Sequence, residues 1–212
     1  MAATAGYVAQ VRVTGTATIM TGEAMGGAGV TYQITAADRR IVDPATAITI
    51  KVGGAAQDPS TYSFDYLTGT VVFSGAPGAV VTIDGKFLPN RLITQAYEMD
   101  VSLSRNLAES TVFLSEFTQR TPTLGDISGS FSCYDSGLTT YTDVDLAQIL
   151  VDGTAKVVEM DWNGTNVLKF FANFESVEAS MAVDGVQTMS TSFSMSGQTA
   201  LTTGQEVDFS FT

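Results

Sequence analysis

The stretch Tyr97-Glu98-Met99-Asp100-Val101-Ser102-Leu103-Ser104 decides how this chain is read. Its odd positions are apolar or aromatic and its even positions are acidic or hydroxylated. That period of two marks a β-strand with one side turned to a core. The same design returns in Ile127-Ser128-Gly129-Ser130-Phe131-Ser132-Cys133-Tyr134. It returns again in Met189-Ser190-Thr191-Ser192-Phe193-Ser194-Met195-Ser196. Three long strands whose polar sides are built mainly of serine predict a sheet with one small-residue polar face.

Val157 to Trp162 and Val167 to Phe174 flank Asn163-Gly164, a strong two-residue hairpin signal. One helix is expected at about 142–152. Thr142 or Asp143 can cap it, Val144, Leu146, Ala147, Ile149, Leu150 and Val151 supply its apolar side, and Gly153 can close it.

Tyr32 to Leu88 reads as a separate set of short strands. Ile48, Ile50 and Val52 precede a turn at Gly53-Gly54. Tyr62, Phe64 and Tyr66 precede Thr68-Gly69, and Gly75-Ala76-Pro77-Gly78 leads into Val80 to Ile83. Ahead of it, Tyr7 to Met20 alternates like a strand. Met20 to Gly29 is glycine-rich without periodicity, and reads as a flexible loop. A phosphate-cradling loop is disfavoured there, because no Gly-Lys-Ser/Thr follows.

Composition narrows the function. Only 15% of the 212 residues are charged, against about 25% in ordinary soluble domains, so much of the surface relies on Ser, Thr and Gly or is covered by partners. The net charge of −12 is confined to one part of the chain. Residues 1–95 hold six basic and six acidic residues, whereas residues 96–212 hold four basic and sixteen acidic ones. An acidic surface argues against ordinary nucleic-acid binding, which needs cations for phosphates. It does not argue against a conduit through which nucleic acid slides.

There is no histidine, which removes a Ser-His-Asp triad, a Cys-His pair and imidazole metal ligands together. Cys133, the single cysteine, lies on the apolar side of its strand, and no internal disulfide can form. Asp143 and Asp145 lack the loop of a calcium site and suit a helix start. Glu98 with Asp100, or Glu175 with Glu178, could serve glycoside hydrolysis, but the aromatic clustering of a sugar cleft is missing. Trp162 sits beside a hairpin turn and reads as packing. Asn163-Gly164-Thr165 reads as a turn, since no secretory leader is visible. No catalytic residue, metal or cofactor is expected, no apolar run approaches a membrane span, and the chain reads as a non-enzyme.

The order of these segments resembles the tail tube proteins of long-tailed bacteriophages and of related contractile and gene-transfer particles. The residues that carry the likeness are Ala96 to Leu107, Ile127 to Ser132, the helix around Leu146 to Val151, and Phe174-Glu175-Ser176-Val177 through Val183-Asp184-Gly185-Val186 to Ser192-Phe193-Ser194-Met195-Ser196-Gly197. Tyr62 to Tyr66 with Gly69-Thr70-Val71 also looks like small β modules of virion proteins. The resemblance implies a mainly-β fold: a tail-tube-type β-sandwich or half-barrel with one flanking helix, plus a small inserted all-β unit. Residues 1–31 would be an arm and glycine-rich loop of the tube domain, 32–89 the inserted unit, and 90–212 the tube core. Six copies would form a ring, and rings would stack into a hollow tube through which DNA passes.

On that reading the polar side of the long strands lines the channel: Glu98, Asp100, Ser102, Ser104, Ser128, Ser130, Ser132, Ser190, Ser192, Ser194 and Ser196. Its acids would repel phosphate and let DNA pass without sticking. Gly22, Met25, Gly26, Gly27 and Gly29 become candidates for ring stacking. The implied partners are further copies of the chain and other tail proteins (tape measure, terminator, baseplate), in a virion tail assembled in the host cytoplasm, with no membrane contact. A tail terminator or baseplate hub protein of related fold, and a β-rich adhesin or carbohydrate-binding module, are the competing readings.

Overall fold

The computed structural model describes residues 10–93, 96–109, 120–134, 146–162, 167–180, 188–196 and 207–210. The strands are, in chain order, β1 (Gln10–Thr14), β2 (Thr18–Ala28), β3 (Thr31–Ile34), β4 (Thr49–Val52), β5 (Ala55–Ala56), β6 (Tyr62–Asp65), β7 (Thr70–Phe73) and β8 (Val81–Phe87). They continue with β9 (Asn90–Leu92), β10 (Ala96–Glu109) and β11 (Arg120–Tyr134). After helix α1 (Leu146–Asp152) come β12 (Lys156–Asp161), β13 (Val167–Ser180), β14 (Thr188–Met195) and β15 (Val207–Ser210).

These strands make two sheets, with all pairing antiparallel. The first has the order β10-β11-β14-β13-β12-β1-β9, and β15 follows β14 along the same edge of β13. It curls into a half-barrel. The concave side is apolar because the alternation of each strand sends Val11, Val13, Ile127, Phe131, Val158, Met160, Phe170 and Phe174 inward. Phe193 sits at the centre of this core, with the rings of Phe131, Phe170 and Phe174 at 6.2, 5.9 and 5.9 Å. Each such ring removed from water contributes about 1.5–3 kcal/mol. Ile149 of α1 closes one side of the core.

The helix begins at Leu146; the expected caps at Thr142 and Asp143 lie outside the described residues. It ends as expected, with Gly153 at φ 60° and its N–H donating to the Ile149 carbonyl at 3.1 Å. Asn163-Gly164 also lies outside the described residues. β12 and β13 pair directly on either side of it, through Asp161 and Val167.

The second sheet has the order β5-β4-β8-β2-β3-β7-β6. Its core gathers Met20, Met25, Ile34, Ile50, Phe64, Val71, Phe73, Val81 and Ile83. The Gly53-Gly54 turn joins β4 to β5, and both glycines have positive φ, as a tight primed turn requires.

One expectation is corrected here. The glycine-rich stretch from Met20 is not a loop but part of β2, hydrogen-bonded to β3 on one side and β8 on the other. Sheet membership therefore changes between Thr14 and Thr18, not at residue 31, and returns to the first sheet at Asn90. The two crossing points touch: Thr14 pairs with Asn90, and the Gly15 N–H donates to the Pro89 carbonyl at 2.9 Å. Ile41, Leu67 and Leu88 of the second unit then pack on Val157 and Phe171 of the half-barrel.

Candidate functional site

The convex side of β10, β11, β14 and β13 carries the residues singled out by the alternation. Register assembles them into rungs that cross four strands. One rung is Glu98, Ser132, Ser190 and Glu178; the next is Asp100, Ser130, Ser192 and Ser176. A third is Ser102, Ser128, Ser194 and Asn173, and Ser104 faces Asp126 beyond the end of β14. Ten of the eleven candidates thus share one open face. A bulge between Phe174 and Ser176 keeps the pattern in step on β13.

The three rungs are polar throughout. The Ser176 and Ser192 hydroxyls share a hydrogen bond at 2.7 Å, while from the core side the buried Thr191 hydroxyl donates to the Ser176 carbonyl at 2.8 Å. Glu98, Asp100 and Glu178 are exposed, and these rungs hold no Lys or Arg. A surface of hydroxyls and carboxylates offers neither a cation for phosphate nor a wide apolar area for a protein core.

Ser196 is the exception. It follows β14 on the same side, but it is buried, and its N–H donates to the Phe171 carbonyl at 2.7 Å. Phe171 is where the second unit docks. The convex side is therefore serine-rich at one end and covered at the other, and Ser196 falls at the boundary.

The glycine-rich candidates sit in β2 and its turn. Met25 is buried in the second core, so its side chain presents no outward surface. The Gly22 N–H donates to Asp84 Oδ1 at 2.6 Å. Gly27 is needed for close packing, since a Cβ there would meet the Thr31 carbonyl oxygen at 2.1 Å. The arm before Gln10 lies outside the described residues.

The alternation did not reveal the charge network where the two units meet. Glu159 Oε1 accepts from Arg12 Nη1 at 2.7 Å, while its Oε2 accepts from Asn90 Nδ2 at 2.9 Å and lies 3.3 Å from Lys169 Nζ. A glutamate inside the apolar run Val157-Val158-Glu159-Met160 was the available signal, because a buried carboxylate needs partners. The network borders a cleft of about 340 Å³ that Arg40, Asp38 and Gln33 also line. At the start of β12, burial lowers the Lys156 ammonium from its usual range, partly offset by Asp152 and Asp43.

Cys133 is buried in the half-barrel core. Asp143 and Asp145 lie outside the described residues. Among the described residues, no three His, Cys, Asp or Glu side chains gather as a metal site, and no helix is long and apolar enough to cross a membrane.

Two solved particle structures are partly similar in fold. One is the tail of an empty gene transfer agent particle with C6 symmetry, at 13% identity and a TM-score of 0.47, covering 58% of this chain and 87% of the other. The second is the virion of a native gene transfer agent particle, at 12% identity and a TM-score of 0.47, covering 57% and 89%. No family model and no curated protein matches the sequence.

Proposed function

We propose that this chain is a structural virion protein that assembles as stacked six-membered rings into a hollow tail tube for DNA. The observation that carries the reading is the acid-and-serine face lying beside a long bare edge. β10 is 14 residues long and ends the first sheet, so one row of its backbone groups has no strand partner among the described residues. Leu103 and Leu107 on it are 54% and 57% exposed. Such an edge invites pairing, and a neighbouring copy that continues the sheet satisfies it and covers the leucines.

Closing a ring in this way turns the serine face into a common wall. Small hydroxyls leave the bore wide, and carboxylates repel phosphate, so duplex DNA slides without adhering. The second unit, docked on the other end of the sheet, would stand on the outside of the tube. Further tail components would cap and fill the tube, with assembly in the host cytoplasm and residence in the virion.

Concentrated protein should form long hollow filaments in negative-stain electron microscopy. Monomers or single rings at every salt concentration would overturn the reading. Ser192→Lys with Ser194→Lys should leave filaments intact and slow DNA release from the particle. Loss of filaments in that variant would assign the face to an interface instead.

A further inference from the structure

Tyr97 and Tyr134 form a stacked pair on the acid-and-serine face. Their ring centroids are 4.5 Å apart with planes inclined by 29°, and the residues are 49% and 43% exposed. Backbone geometry puts them there. Tyr134 lies two residues after Ser132 and so shares its side of β11. The register shift between Ala96 and Glu98 leaves Tyr97 unopposed on β11, and its ring stacks on Tyr134. The neighbouring rung carries Glu98 at one end and Glu178 at the other. Asp100 lies one rung further on.

We infer that this end of the face is a docking surface for a cationic polypeptide segment, gripped by its arginine or lysine side chains. An exposed tyrosine face attracts a guanidinium or ammonium through its ring quadrupole. Flanking carboxylates add charge complementarity, and the rungs offer no competing Lys or Arg. Duplex DNA fits poorly, since its bases are stacked away from the rings and its phosphates are repelled by the same carboxylates. The surface itself follows from the geometry alone; only its placement inside a channel rests on the tube reading.

The test uses the unassembled chain, an arginine–alanine repeat peptide, its glutamate–alanine counterpart and a duplex oligonucleotide, followed by titration calorimetry. The arginine peptide should bind with an affinity that falls as salt rises, while the other two should not bind. Tyr97→Ser with Tyr134→Ser should weaken binding about tenfold with an unchanged circular dichroism spectrum, and Glu98→Gln with Glu178→Gln should flatten the salt dependence. Equal binding by the double tyrosine variant, or preference for the duplex, would overturn the inference. Filament formation by the same proteins is scored separately. Filaments from a chain that ignores the arginine peptide would sink this inference and spare the tube, and binding without filaments would do the reverse.

Discussion

Gly129 and Phe193 face each other across β11 and β14, and the Phe193 ring fills the space that a side chain at 129 would need. A Cβ on Gly129 would come within 2.8 Å of the ring and 2.6 Å of the Asp100 carbonyl oxygen. Gly129→Ala should therefore destabilise the half-barrel by about 1–3 kcal/mol, as overpacking does, read from urea unfolding. An unchanged midpoint would mean that β11 and β14 are free to part locally.

Phe193 is the ring shared by three others. Phe193→Ala should cost about 3–5 kcal/mol, the range for truncating a buried phenylalanine. The comparable change Phe73→Ala opens the second core and should cost less, since Phe73 is 7% exposed against 1% for Phe193. Thermal unfolding of the two variants checks the order.

Glu159 is held by Arg12, Lys169 and Asn90. Glu159→Ala should lower stability by about 2–3 kcal/mol, because the two cations keep some access to water and are not stranded in a dry interior. Arg12→Met should cost less, since Lys169 and Asn90 still engage the carboxylate. A double-mutant cycle on unfolding free energies measures the coupling.

Asp84 sets an acid-side dependence. The Lys51 ammonium and then the Gly22 N–H hold its carboxyl below the usual 3.8. A depressed carboxyl contributes stability that is present above its unfolded value and lost as pH falls through the folded one. Asp84→Asn should lower the melting temperature near neutrality, and the gap to the parent should close below about pH 4. A gap that persisted in strong acid would trace to lost packing.

The long strands were legible because each keeps a strict period of two: Met99, Val101 and Leu103 on β10, Phe131 and Cys133 on β11, Thr191 and Phe193 on β14. β2 was not legible, for a physical reason. Its two buried side chains, Met20 and Met25, are five residues apart, because a bulge between Met20 and Glu23 inserts a residue and flips the facing side. With Gly22 between them and Gly26 and Gly27 after them, no alternation survives. The misplacement of Ser196 has a different origin. Alternation reports which side of a sheet a residue takes, but not whether another part of the chain lies over that side. The tyrosine pair was hidden for a similar reason, since the register irregularity that brings it together is a property of two strands and not of either sequence.

The pairing of Thr14 with Asn90 makes the seven-stranded unit an excursion that leaves and re-enters the host at a single doorway. Its doorposts are already adjacent hydrogen-bonded backbone, so the gap left by removing the unit is one that a two-residue turn could close. The half-barrel would then need new polar residues where Val157 and Phe171 lose their cover. Removing or exchanging the module at this doorway would not re-thread the strands of the half-barrel. The same port would accept a foreign domain whose termini lie equally close together.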